Sequence, residues 1–390
     1  MRIVRIILVL TLFGMLGVWQ LQREAFQRKL QGAIPVTAST FQEHSPREVI
    51  EQNLLARNEQ FSFTIRDFQD AEQAFKQAFA DAASADDYTA YIIDSYRYTI
   101  RERANRADVE MTVQYRETAD QTAQVEQLTK QALRSIVSAA GMNDHTKVKL
   151  IHDWVVDRVE YDTSLSSYTA YEALITGKTV CQGYALLLQH MLTKAGLESR
   201  IVEGTVSTGD HAWNLVKLDG RWYHLDATWN DAAPSMKTKN SGEAKNSTEA
   251  TVSRYRYYLL SDKEIIRDHQ WTKPYPKAVT EYSETLALAK QKSTKHEAAE
   301  WAKLEAGIGL DWLAPSRTAQ SVDMLTERLD DMVRSGKAEM QIRYTSGGSW
   351  SEDIRSAIRK AGIPDGYTVR SYPYGTDGSV LLHIKLMQDI

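Results

Sequence analysis

Three side chains in this 390-residue chain are spaced for nucleophilic acyl transfer: Cys181, His211 and Asp226. A thiol attacks an acyl carbon once a base takes its proton. An imidazole serves as that base best when a carboxylate orients its ring and stabilises the imidazolium. On this reading Cys181 is the nucleophile, His211 the base and Asp226 its orienting partner. The competing reading is a buried inert thiol, which is common. Cys181 is the single cysteine, so an intrachain disulfide framework and a cysteine-rich metal site are both excluded.

The elements around these residues set their geometry. Val180-Cys181-Gln182-Gly183-Tyr184 opens an apolar helical run that reaches Lys194 and stops at Gly196. Cys181 therefore falls in the first turn of a helix. Unpaired N–H groups and the helix dipole favour an anion there, and a thiolate is one. The same N–H groups suit an oxyanion on a substrate carbonyl. Gln182, Gly183 and Tyr184 are the candidate substrate- or oxyanion-binding residues on the helix, and Trp213 is the candidate beside His211. Ordinary packing is the rival explanation for each.

Residues 211–218 and 221–228 alternate in polarity around Asp219-Gly220, a two-residue hairpin signal. With those two residues as the whole loop, Leu218 pairs with Arg221, Trp213 with Asp226 and His211 with Thr228. His211 and Asp226 become diagonal neighbours on one face, roughly 6–8 Å apart at Cβ and within reach of an imidazole–carboxylate bond. A slip of one residue would separate them. His224 shares the face of Asp226 and reads as a packed histidine. His152, His190 and His269 read likewise. No His, Asp and Glu set has zinc-ligand spacing, so neither metal nor cofactor is expected.

Residues 145–275 resemble the transglutaminase-like superfamily, of the bacterial exported type. The resemblance rests on Ile151-His-Asp-Trp-Val with Tyr161-Asp162, Val180-Cys181-Gln-Gly-Tyr-Ala, His211-Ala-Trp-Asn and Asp226-Ala-Thr-Trp, with Tyr257-Tyr-Leu-Leu-Ser-Asp and His269 as weaker elements. In order, these elements are a specific signal, and they cover roughly a third of the chain. Ala227 stands where the family often has proline. The resemblance implies a papain-like α+β core with the cysteine on a helix facing an antiparallel sheet. It places the family's catalytic Cys, His and Asp on Cys181, His211 and Asp226. It also implies protein or peptide substrates of the cell envelope.

Around that core the sequence predicts an α+β chain of five segments. Residues 1–30 carry Arg2 and Arg5 before an apolar run from Ile6 to Trp19. That is the layout of a signal anchor or a cleaved signal peptide, with the body outside the cytoplasm. Residues 31–118 read as a β-α-β-β module and 119–278 as the catalytic domain. Residues 279–336 read as a helical connector, and 337–390 as a second β-α-β-β module. Residues 234–253, rich in polar side chains, read as a loop beside the site. The chain is 43% hydrophobic and 25% charged, with net charge −4. It has no long basic run past its first residues, which argues against nucleic acid as a partner.

Two functions follow. One is an exported thiol acyltransferase or hydrolase acting on amide bonds. The other is a non-catalytic envelope scaffold that uses the core as a binding module.

Overall fold

The computed structural model describes residues 7–10, 44–137, 141–231, 248–271, 273–346, 348–363 and 366–387. The architecture is mixed α+β, built from helices and mostly antiparallel sheets. The chain divides into two compact units. One takes the chain up to Thr129 together with Tyr168–Ile175; the other takes Lys130–Ser167 and everything from Thr176.

The first unit is a sheet of β1 (Ile7–Leu10), β2 (Gln60–Arg66), β3 (Ile93–Arg103) and β4 (Arg106–Tyr115), in the order β1-β3-β4-β2 and antiparallel throughout. Helices Pro46–Leu55 and Ala71–Ala83 cover it, and Phe63, Ile65, Phe75, Tyr98, Val109 and Met111 are among its core residues. Alternation in β4 sends Ala107, Val109, Met111 and Val113 inward, the period-2 pattern of a half-buried strand. Ile7–Leu10 form an edge strand on β3. The rest of the expected signal segment, 1–6 and 11–30, lies outside the described residues. Among the described residues no helix is long and apolar enough to cross a membrane.

The helix Ala170–Ile175 belongs to this first unit, not to the catalytic domain as expected. The reason is the buried Glu117. Its carboxylate accepts from the Tyr88 hydroxyl (2.9 Å), the Thr122 hydroxyl (2.8 Å) and the Tyr171 backbone N–H (3.3 Å). Arg116 also lies over the Tyr168 ring at 4.7 Å.

The second unit holds the candidate site. Strands β5 (Glu160–Tyr161) and β6 (Lys178–Thr179) form a short parallel pair. Strands β7 (Ser199–Val206), β8 (Gly209–Leu218), β9 (Arg221–Leu225) and β10 (Tyr258–Leu260) make an antiparallel sheet in the order β10-β9-β8-β7. The Cys181–Lys194 helix packs on β7 and β8. Leu186, Leu187, Leu188, Met191 and Leu192 of that helix are fully buried, and Asn214 of β8 donates to the Ala185 carbonyl (3.0 Å).

The chain ends in a third sheet: β11 (Thr318–Ala319), β12 (Glu339–Tyr344), β13 (Tyr367–Tyr374) and β14 (Ser379–Leu386), in the order β11-β12-β14-β13. The connector region differs in detail from expectation. The expected helical connector begins with two helices, Tyr282–Lys292 and Lys295–Gly307, separated because Thr294 forms a capping box with Glu297 and restarts the helix. The Val322–Arg334 helix, expected in the connector, shares its core with this C-terminal sheet. Leu325, Leu329 and Met332 pack with Ile342, Leu382 and Ile384. The expected loop over 234–253 ends in a helix, Thr248–Arg254; residues 232–247 lie outside the described residues.

Candidate active site

Cys181 is the first residue of its helix and is 7% exposed. Val180, extended at φ −82° and ψ 178°, is the N-cap and supplies no side-chain cap. Its carbonyl takes the N–H groups of Gly183 (3.0 Å) and Tyr184 (3.3 Å). Val180 is itself pinned, since its N–H donates to the Ser167 carbonyl (2.9 Å). The first helical turn is thus fixed by backbone bonds.

The hairpin carries His211. Asp219 and Gly220 both adopt positive φ, 49° and 76°, as a two-residue turn of the mirror-image type requires. The pairs run Leu218↔Arg221 to Asn214↔Leu225, the register expected from the turn. There the ladder stops. The expected pairs Trp213↔Asp226 and His211↔Thr228 do not form, because β9 ends at Leu225 and Ala227–Asp231 is a short helix. Asp226 causes the change. Its Oδ1 accepts from the Trp229 N–H (3.1 Å) and its carbonyl accepts from the Asn230 N–H (3.2 Å), so it caps that helix rather than extending β9. Its own N–H donates to the Tyr257 carbonyl (3.0 Å).

The other carboxylate oxygen meets His211: Asp226 Oδ2 lies 2.8 Å from His211 Nε2. Asp226 is fully buried and His211 nearly so. Burial alone would lower the His211 pKa, but the Asp226 carboxylate and then Cys181 outweigh it and push it up to about 10. Burial would raise the Asp226 pKa, but His211 and then His269 hold it well below the usual carboxylate range. The Cys181 side chain thus acts on the same imidazole that Asp226 holds. With Nε2 committed to Asp226, Nδ1 is the nitrogen left to exchange a proton with sulfur.

His269, expected only to pack, is part of this centre. Its Nε2 lies 3.1 Å from Asp226 Oδ2 and its Nδ1 2.6 Å from Asp268 Oδ1, and it is fully buried. Asp268 also accepts from the Tyr257 hydroxyl (2.7 Å). His211, Asp226 and His269 bring ligand-type atoms within 4.8 Å of one another, a set that no local sequence spacing signals. Both imidazoles lie at hydrogen-bond distance from a single carboxylate oxygen. A metal ion held by all three would have to displace both of those bonds.

The other candidate residues take up positions around the site. The α-carbon of Gly183 faces β6, where a Cβ would sit 1.9 Å from Thr179 Oγ1, so its smallness serves helix–strand contact. Tyr184 is buried, and its hydroxyl donates to Asp231 Oδ2 (2.5 Å); burial, then Asp231, raises its pKa. Gln182 is buried beside Cys181. Trp213 is buried with its ring 5.8 Å from that of His211 at 22°, and it donates from Nε1 to His224 Nδ1 (2.9 Å). His152 reaches the Asn230 side-chain amide through Nε2 (3.0 Å), and Asn230 Oδ1 accepts from the Tyr257 N–H (2.8 Å).

Residues 130–227, which include all three of Cys181, His211 and Asp226, match the sequence model of the transglutaminase-like superfamily. This stretch is a transglutaminase-like core. Over 163 residues the chain is 31% identical to human kyphoscoliosis peptidase and 30% identical to its mouse counterpart. Each match covers 36% of this chain, and the chain spans only 23% of the length of these relatives. A crystal structure described as that of a TGase is 14% identical, covering 49% of this chain and 55% of that one, with a TM-score of 0.27.

Proposed function

We propose that this protein is a thiol-dependent acyl transferase or hydrolase acting on protein or peptide amide bonds. The observation that carries the reading is the buried His211, bonded to Asp226 through Nε2 and acted on by Cys181 at a helix N-terminus. The transglutaminase-like core and the peptidase names of the two curated relatives support the same class.

The chemistry runs in two halves. The Cys181 sulfur adds to the amide carbon while His211 Nδ1 holds the thiol proton. The Cys181 N–H at the first helical position, with Gln182 beside it, lies where a developing oxyanion needs a donor. As the tetrahedral adduct collapses, the C–N bond breaks, His211 protonates the leaving amine and a thioester remains. Water or a second amine then adds to the thioester, His211 takes its proton, and the thiol is regenerated. Water gives hydrolysis and an amine gives crosslinking; the triad serves either. In both halves Asp226 holds the imidazolium.

Arg2, Arg5 and the apolar run after them support an exported protein held at, or released from, the cell membrane, with envelope proteins or peptides as substrates. Alkaline extraction of membranes distinguishes an anchor from a processed, soluble form.

The test of the chemistry is a trapped acyl-enzyme. Incubation with a casein or peptide amide donor, followed by intact-mass measurement, should show an adduct at Cys181 that hydroxylamine removes. Cys181→Ala should abolish it, and His211→Ala should slow alkylation of Cys181 by at least about tenfold. A thiol that alkylates at the same rate with and without His211, with no adduct from any donor, would sink the enzyme reading and leave a binding module.

A further inference from the structure

The C-terminal sheet offers a groove of about 850 Å³ between the Val322–Arg334 helix, β12 and the segment 312–317. Its lining is strongly charged: Arg317, Arg328, Arg334 and Lys337 face two carboxylates, Asp331 and Glu339. Arg317 pairs with Asp311 and Arg334 with Asp331, but Arg328 and Lys337 have no ion pair among the described residues. The Nε of Arg328 is buried and has no hydrogen-bond partner. A buried donor in that state is rare in a folded protein and points to a group the free chain does not supply.

The second feature is the edge of β12. On one side β12 pairs with β14 along its whole length, Glu339↔Lys385 to Tyr344↔Val380. On the other side β11 covers only Arg343 and Tyr344. Among the described residues, Glu339 to Ile342 have a strand partner on one side alone, and these are the β12 residues that line the groove, with the segment 312–317 across it and the Thr248 hydroxyl on Gln341 Oε1 (2.8 Å). An unpaired strand edge is a template for another extended chain. Trp312, Met332, Met340 and Ile342 give the groove an apolar element beside the cations.

We propose that this groove binds an extended acidic peptide segment of a partner protein, added as a strand alongside Glu339–Ile342 with its carboxylates on Arg328 and Lys337. Main-chain hydrogen bonds supply the mode of binding, and the two unpaired cations supply the preference for acidic sequences. This site is separate from the chemistry at Cys181, and its occupation does not depend on that thiol.

Fluorescence anisotropy with the full chain and a labelled peptide of alternating glutamate and valine tests the proposal. Binding should be saturable, unchanged in Cys181→Ala, and weakened roughly tenfold by Arg328→Gln or Lys337→Gln. A peptide of the same charge N-methylated on alternate amides should bind at least as poorly, because it cannot pair with a strand edge. Lys337 is exposed, so Lys337→Gln keeps the test valid if Arg328→Gln melts early. Three results each overturn the proposal: no saturable binding, equal binding by wild type and Lys337→Gln, or complete displacement by inorganic phosphate, which would mark a site for a single anion.

Discussion

The indole N–H of Trp213 donates to Nδ1 of His224 across 2.9 Å. An indole nitrogen only donates, so His224 Nδ1 carries no proton and its Nε2–H donates to Asp262 Oδ1 at 2.9 Å. The ring that stacks on His211 is therefore fixed at its far end by a neutral imidazole. Trp213→Phe keeps the ring and removes the donor. It should lower stability by about 1 kcal/mol and slow iodoacetamide capture of Cys181 several-fold, read from urea melts and labelling rates. Unchanged labelling would show that the indole anchor does not position His211.

Asp226 Oδ2 serves two imidazoles at once. His269→Ala removes one donor and leaves the carboxylate more strongly committed to His211. The imidazolium should then persist to higher pH, and the base should be weaker. The expected outcome is a fall in kcat of roughly tenfold with KM little changed, and an alkaline displacement of the pH–rate profile. A loss of activity with no movement of the profile would mark His269 as packing alone.

Stability should decline on both sides of neutrality. Burial, opposed by neighbouring carboxylates, lowers the pKa of His145, His152 and His224 from the ordinary 6.5. The unfolded chain takes up protons at these sites first, so their contribution is present above about pH 6.5 and is lost as pH falls below it. His211 has the opposite sign. Its pKa is raised to about 10, so its contribution is complete below 6.5 and disappears as pH rises through 10. Urea midpoints across pH 5 to 10 should trace both limbs, and His211→Ala should remove the contribution of this imidazole to the alkaline one.

Gly204 sits opposite His211 in the β7–β8 ladder. A Cβ there would lie 2.0 Å from the Gln270 carbonyl oxygen and 2.6 Å from the Trp213 ring. The Gln270 backbone is held by paired bonds to Thr205 (2.8 and 2.9 Å), so it cannot retreat without breaking them. Gly204→Ala should cost about 1–3 kcal/mol and slow Cys181 labelling, although the residue has no side chain to do chemistry. Differential scanning calorimetry together with labelling checks both effects.

Much of the site's geometry was legible because it is local. Asp219-Gly220 dictates a two-residue turn, and the turn dictates the register that brings His211 towards Asp226. The helix of Cys181 announces itself by its mostly apolar run from Ala185 to Leu192 and terminal Gly196. The end of β9 was illegible, since Ala227-Thr228-Trp229 continues a strand pattern as well as it opens a helix. Only the capping bonds of Asp226 decide between them. His269 was beyond reach for another reason: it meets Asp226 across 43 residues, and no periodicity reports such a meeting. The Val322–Arg334 helix was misallotted because its apolar stripe shows that it packs, and not what it packs on.

The tight turn has a consequence for how the molecule assembles. His211 and Asp226 are only 15 residues apart, one on β8 and the other just past the end of β9. Closing so short a loop is entropically cheap and kinetically fast. The imidazole–carboxylate pair can thus form early, before distant segments arrive, whereas His269 joins only after the chain returns through β10. During synthesis the base and its orienting acid would be in place while β10 and the C-terminal sheet are still being made.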